Sequence, residues 1–228
     1  LFDVPNNNFT KILITILMVA IFLGSSLTGL NHGVKWLSNL NILLGAILLI
    51  FILIFGDLKF ILESYTLAIS DYLQHFIEYS LRVNPYSGDD SWIQQWTVFY
   101  WAWVISWSPF IGGFVARVSR GRTIREFVVG VLIIPPLISF TWIAGFGGTA
   151  IKLALNHNDK LVHIVDKDYS VALFELLSHF PLSEVTSSLA IVLIFIFIVT
   201  SADSTTHIVA GMATGGAINP SLKHKVLW

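Results

Sequence analysis

Five stretches of this chain are apolar for long enough to cross a bilayer, and shorter polar stretches separate them. They run over residues 9–30, 38–56, 94–116, 125–147 and 186–213. A helix rises about 1.5 Å per residue, so about 20 residues cover the roughly 30 Å of hydrocarbon. Lipid offers the backbone no hydrogen-bond partner, and a run of this length satisfies its own amides only as a helix. The expected fold class is therefore all-α, a polytopic membrane helical bundle.

Polar positions refine the spans. Lys11 lies near the start of the first, where its long side chain can snorkel to headgroups. That span ends in Ser25-Ser26-Leu27-Thr28-Gly29, small residues that suit close helix packing. The second, from Ile42 to Phe55, is almost uniformly aliphatic. Segment 58–83 differs: Asp57, Lys59, Glu63, Asp71, Gln74, His75, Glu78 and Arg82 alternate with Phe60, Ile61, Leu67, Leu73, Phe76 and Ile77. Spanning would strand several ionised groups at the bilayer centre, so this reads as an amphipathic helix on the membrane surface. The expected organisation is two transmembrane helices over 1–57, an amphipathic linking helix with an outer loop over 58–93, and three transmembrane helices over 94–228.

Composition agrees with lipid as the solvent. Apolar residues make up 55% of the 228 and charged residues 12%, against roughly 25% charged in a soluble domain. A net charge of −1 gives no footprint for nucleic acid, and the lack of cysteine excludes disulfides and thiolate chemistry. The start at Leu1, without a basic leader, reads as a piece cut from a longer protein. Arg117, Arg120, Arg122 and Arg125 crowd the loop between the third and fourth spans, which places that loop in the cytoplasm. Counting outward puts His32, Lys35, Lys223 and Lys225 on the same side. The carboxylates Asp89, Asp90, Asp159, Asp166, Asp168 and Glu175 fall outside, as the rule expects.

The third span carries the strongest chemical signal. Five of the chain's eight tryptophans, Trp92, Trp96, Trp101, Trp103 and Trp107, fall within it or just before it. At 3.6 residues per turn Trp96, Tyr100, Trp103, Trp107 and Phe110 share one stripe, while Trp101 points elsewhere. An interfacial belt accounts for Trp92 and Trp96 but not for the deeper Trp103 and Trp107. Those two fit either helix packing or a cage whose ring faces attract a cation lacking hydrogen-bond donors.

Two further spans hold polar or backbone signals. In the fourth, Pro135-Pro136 predicts a kink, and Gly145, Gly147 and Gly148 suggest a tight or unwound outer end. The last span holds Thr200, Ser201, Asp203, Ser204, Thr205, Thr206 and His207 in an otherwise apolar helix. Thr200 and Ser201 are candidate ligands for a hard cation, which prefers oxygen donors. Alternatively the hydroxyls bond to carbonyls one turn back and Asp203 pairs with another helix. Asp203 and His207 also have the spacing of a catalytic pair on one helix face, which leaves a membrane-embedded enzyme as the alternative class.

The run Trp96-Thr97-Val98-Phe99-Tyr100-Trp101-Ala102-Trp103, then Ser106-Trp107-Ser108-Pro109-Phe110, then Ala116-Arg117-Val118-Ser119-Arg120-Gly121-Arg122-Thr123-Ile124-Arg125-Glu126-Phe127, resembles the signature of the betaine/choline/carnitine transporter family. The resemblance implies a LeuT-like inverted-repeat fold, with this chain supplying helices six to ten of twelve. It implies secondary active transport of a small quaternary-ammonium or zwitterionic osmolyte by alternating access in the bacterial inner membrane. Trp103 and Trp107 would contact substrate, with Trp101 and Tyr100 beside them on the route. Val104 stands where many members have a tryptophan. Phe197, Thr200 and Ser201 match one sodium site and Phe110 a second, so sodium is the implied coupling ion and no other cofactor is implied. The resemblance also gives the four loop arginines a gating role and the assembly a homotrimeric form. A piece of this extent is not expected to transport by itself.

Overall fold

The computed structural model describes residues 5, 7–28, 35–83, 91–119, 121–156, 159–217 and 220–227. Among these every regular element is helical. In chain order come α1 (Asn8–Thr28), α2 (Lys35–Phe55), α3 (Leu58–Ser80) and a single turn α4 (Ser91–Ile93), followed by α5 (Phe99–Val118). Then come α6 (Ile124–Leu132), α7 (Ile134–Trp142), α8 (Gly148–Leu155), α9 (Asp159–Lys167), α10 (Ala172–Ser178), α11 (Ser183–Ala213) and α12 (Leu222–Leu227). Residues 1–57 and 149–228 form one compact unit and residues 58–148 another.

Among the described residues four helical stretches are long and apolar enough to cross a membrane: Lys35–Phe55, Ser91–Ala116, Ile124–Leu155 and Ser183–Ala213. They correspond to the second to fifth predicted spans. The first predicted span is also a helix, the 21-residue α1, whose apolar stretch counts only as far as Gly24 because the side chains of 25–28 are outside the description.

In the first unit α11 packs against α2 and α1. Leu48 and Ile52 of α2 and Ala190 of α11 are wholly buried, and Phe51 meets Phe180 edge-on at 6.3 Å. The buried surface of α11 widens along its length. Thr186, Ser187 and Ala190 share one side of the first half, whereas the buried residues from Ile196 to Gly211 spread over more than half the circumference, with Ile208 back in line with Ala190 at 100° per residue. Residues 148–185, between the fourth and fifth spans, are helical in large part. They carry α8, α9, a 3-10 turn Tyr169–Val171 and α10, whose Leu176 and Leu177 are buried. Asp168 caps the turn, accepting from the Ser170 amide at 2.9 Å and hydroxyl at 2.6 Å. Those two bonds hold its carboxyl below the usual range.

Lys152 of α8 forms an ion pair with Asp57, 95 residues earlier in the chain. Both side chains are about a third or more exposed, so water screens the pair. A double-mutant cycle with Lys152→Ala and Asp57→Ala, read by thermal unfolding in detergent, is expected to give a coupling below about 1 kcal/mol that shrinks with added salt. A larger, salt-insensitive coupling would contradict that assignment.

The second unit begins with α3, the predicted amphipathic helix. Its backbone leaves helical geometry at His75 (φ −110°, ψ 18°). There Tyr79 donates to Asp71 Oδ2 at 2.8 Å, a bond that raises the phenol pKa, and His75 Nδ1 lies 3.2 Å from Asp71 Oδ1. Leu62, Leu73 and Ile77 remain exposed on the other side. The fourth span starts at a capping box: Thr123 accepts from the Glu126 amide while the Glu126 carboxylate accepts from the Thr123 amide. It bends at Ile133 (φ −106°, ψ −50°), just before the two prolines, as their missing N–H groups require.

The glycine-rich outer end of this span is not unwound. Ile143–Gly147 winds as a π-helix, and helix then continues to Leu155. Gly145 and Phe146 are buried there, and α3 packs against this stretch. A Cβ on Gly148 would lie 3.8 Å from Cβ of Ser64. That is ordinary contact distance, so the π-turn packs on α3 without needing a glycine there.

Candidate functional site

The tryptophan stripe exists as the helical period predicts. Trp96 stacks on Tyr100 with ring centroids 6.1 Å apart and planes 11° from parallel. Tyr100 meets Trp103 edge-on at 6.0 Å, Trp103 meets Trp107 at 6.0 Å, and Trp107 meets Phe110 at 6.4 Å. Each ring thus touches the next one turn along. Edge-to-face contact leaves part of each face free and fixes the rotamers of rings that are still a third to a half exposed. Gln94–Val98 is π-helical, so Trp96 sits in a widened turn ahead of α5.

Trp101 leaves the stripe, as its phase requires. Its indole N–H donates to the Ser80 carbonyl at 3.2 Å, tying α5 to the end of α3. Trp92 lies beneath the Arg82 guanidinium at 5.5 Å. Of the four ring residues tied to substrate in the sequence, Trp103 and Trp107 reach the groove described next. Tyr100 belongs to the ladder, and Trp101 is engaged elsewhere.

A groove of about 870 Å³ opens between α5 and the first half of the fourth span. On α5 it is lined by Trp103, Val104, Trp107 and Ser108. Ser108 gives its hydroxyl proton to the Val104 carbonyl at 2.6 Å, and Ser106 gives its own to Trp103 at 2.9 Å. The Ser108 oxygen therefore faces the groove as an acceptor. Opposite stand Val131 and Leu132, and Arg122 stands at the end nearest the connecting loop. The groove thus runs from indoles at one end to Arg122 at the other, with about 16 Å of helix axis between Trp107 and Val118.

Of the predicted arginine cluster, Arg122 lines the groove and Arg125 is exposed at the start of α6. The side chain of Arg117 and all of Arg120 lie outside the described residues. The loop turns at Gly121, whose φ of +83° a residue with a Cβ would resist.

The candidate cation ligands sit on α11 in the other unit. Phe197 is 60% exposed, and Ser201, one turn on, is exposed on the same face. The Thr200 hydroxyl donates to the carbonyls of Ile196 at 3.0 Å and Phe197 at 3.1 Å, and Thr205 donates to Ser201 at 2.9 Å. The hydroxyls thus bond back one turn, yet each oxygen keeps lone pairs for a further partner. Phe110, the single residue of the second candidate site, closes the ring ladder in the unit that holds α5. Asp203 and His207 are both buried, at 2% and 5% exposure, on the face turned away from Phe197 and Ser201. A reactive pair would need an open cavity, and burial withholds it. No group of three or more His, Cys, Asp or Glu side chains stands ready for a metal among the described residues.

The sequence reading passed over the groove partners on the fourth span. No local signal marks them, since Val131 and Leu132 read as ordinary apolar residues of the span.

A family profile described as betaine/carnitine/choline family transporter matches residues 1–228. An ectoine/hydroxyectoine transporter of Virgibacillus pantothenticus is 47% identical over 227 residues, covering 100% of this chain and 45% of that protein. A glycine betaine transporter of Bacillus subtilis is 41% identical over 229 residues, 100% of this chain and 44% of the relative. An osmo-independent choline transporter of Acinetobacter baylyi is 36% identical over 221 residues, 96% of this chain and 42% of its own length. The chain therefore spans less than half the length of these curated relatives.

Proposed function

This chain belongs to the betaine/carnitine/choline transporter family, and we propose on that premise that it supplies the aromatic half of a sodium-coupled site for a small osmolyte. Family membership makes it part of a multi-pass bacterial membrane transporter rather than an enzyme. The observation that carries the proposal is the unbroken ring ladder from Trp96 to Phe110, two of whose indoles open into a groove ending at Arg122.

Indole faces hold a cationic head without needing hydrogen-bond donors from it. Arg117, Arg120, Arg122 and Arg125 make the ion pairs that gate the cytoplasmic mouth. Val104 widens the wall between Trp103 and Trp107. It forgoes about 0.5–2 kcal/mol of cation–π attraction that another ring would give, in exchange for room for a bulkier head. Phe197, Thr200 and Ser201 contribute to one sodium site and Phe110 to a second, each completed by residues outside this chain. Rocking of helices then exposes the site to either side in turn, and the assembly works as a homotrimer.

Uptake by the full-length transporter in proteoliposomes tests this. With glycine betaine, choline, carnitine and ectoine as competitors, at least one is expected to be taken up saturably. Uptake is expected to fall at least tenfold when potassium replaces sodium. Transport indifferent to sodium would remove the coupling ion, and no uptake of any of the four would remove the substrate class.

A further inference from the structure

The linking helix α3 is fastened to both spans that wall the groove, once on each side of its own kink. Before the kink it packs on the fourth span, where the Tyr72 ring meets Phe140 of α7 edge-on at 5.3 Å. After the kink it reaches the tryptophan span. The Ser80 carbonyl stands at the C-terminal end of α3, where the helix supplies no further donor, and it accepts from the Trp101 indole at 3.2 Å. His75, where the backbone leaves helical geometry, lies between these two attachments. One aspartate gathers the side chains around it. Tyr79 donates to Asp71 Oδ2 at 2.8 Å, and His75 Nδ1 lies 3.1 Å from the Asp71 carbonyl and 3.2 Å from Oδ1. Residues eight apart are about 12 Å apart along a straight helix, and a tyrosine leans back toward the N-terminus. The Tyr79 bond therefore runs across the kink and ties its two arms together.

Resting on the transport reading above, we propose that α3 is a brace whose bend, held by Asp71, sets the separation of the two groove walls. Asp71, Tyr79 and Trp101 are then positioning residues for transport. None of the three lines the groove, so they act through helix placement and not by touching substrate. The physical reason is stiffness. A helix resists stretching, so the angle at His75 fixes the distance from Tyr72 to Ser80 and with it the distance from Phe140 to Trp101. Trp103 and Trp107 ride on the same helix as Trp101, and any shift of that helix moves their rings relative to Val131 and Leu132.

The test uses the full-length transporter in liposomes, with spin labels on Ile105→Cys of α5 and Ile138→Cys of α7. Both positions are exposed and neither lines the groove. Tyr79→Phe and Trp101→Phe each remove one hydrogen bond and keep a ring. Each is expected to shift or broaden the substrate-free label separation by about 2 Å or more, the size of an ordinary helix displacement. KM for the transported osmolyte is expected to rise about fivefold, the scale of one lost hydrogen bond. The double variant should raise KM no further than the worse single one, because both cut the same brace. Asp71→Asn keeps an acceptor for the Tyr79 hydroxyl and should retain the parent separation, whereas Asp71→Ala should not. A separation unchanged in Tyr79→Phe, Trp101→Phe and Asp71→Ala overturns the brace, whatever happens to stability. A separation that shifts while KM holds leaves the brace standing and removes the groove from the transport reading.

Discussion

Trp103→Ala in the full-length transporter is expected to cut osmolyte uptake at least thirtyfold at subsaturating substrate, with membrane insertion and thermal stability unchanged. Trp103 holds the middle of the ladder, 6.0 Å from both Tyr100 and Trp107, and it lines the groove. A desolvated cation–π contact is worth about 2 kcal/mol, which corresponds to a factor of roughly 30 in binding. Removing the indole also frees the neighbouring rings to rotate, so the loss includes the ordering that Trp103 imposes on Trp107. The indole is nearly half exposed in this chain, and for that reason stability should survive its loss. Trp103→Phe retains a weaker ring face and should recover part of the uptake. Transport unaffected by Trp103→Ala would show that the ladder only packs helices, and the cage would have to be abandoned.

Ala190→Phe should do the reverse and unfold before it misroutes substrate. Ala190 has no exposed surface, in the part of α11 where Thr186 and Ser187 are also buried. A phenyl group there has no space to enter, and overpacking of this kind costs about 1–3 kcal/mol or more. The melting temperature in detergent is expected to fall by about 5–10 °C, with uptake falling in proportion to folded protein. An unchanged melting temperature would mean that α11 can slide to make room, contrary to the fixed packing of its outer half. The two variants separate a group placed for a ligand from one placed for a neighbour.

Much of this was legible in the residues. The length of the apolar runs fixes helices because lipid leaves the backbone no other partner, and α2, α5 and α11 begin and end within a few residues of the sequence estimate. The phase of the tryptophans is equally local: one turn separates Tyr100 from Trp103 and Trp103 from Trp107 whatever surrounds the helix. The prediction that Trp101 points elsewhere rests on the same arithmetic, and its bond to Ser80 shows where it goes. Glycine at 145, 147 and 148 marked an irregular end without fixing its form. Of the tight or unwound end expected there, the structure has a π-turn packed on α3, a choice made by the neighbour and not by the glycines.

By itself the sequence determined the solvent, the helices, the ring stripe and the family, because each depends on residues close together in the chain. Tertiary structure decided the rest. Residues 149–228 fold with residues 1–57, and α11 buries one side in its first half but more than half of its circumference from Ile196 onward. No periodicity could announce that, since α11 is apolar on every side over much of its length and a helix of that kind carries no record of which face will be covered. The groove likewise needed two helices to meet. Trp103 and Leu132 are 29 positions apart, and only the turn at Gly121 brings them to one cavity.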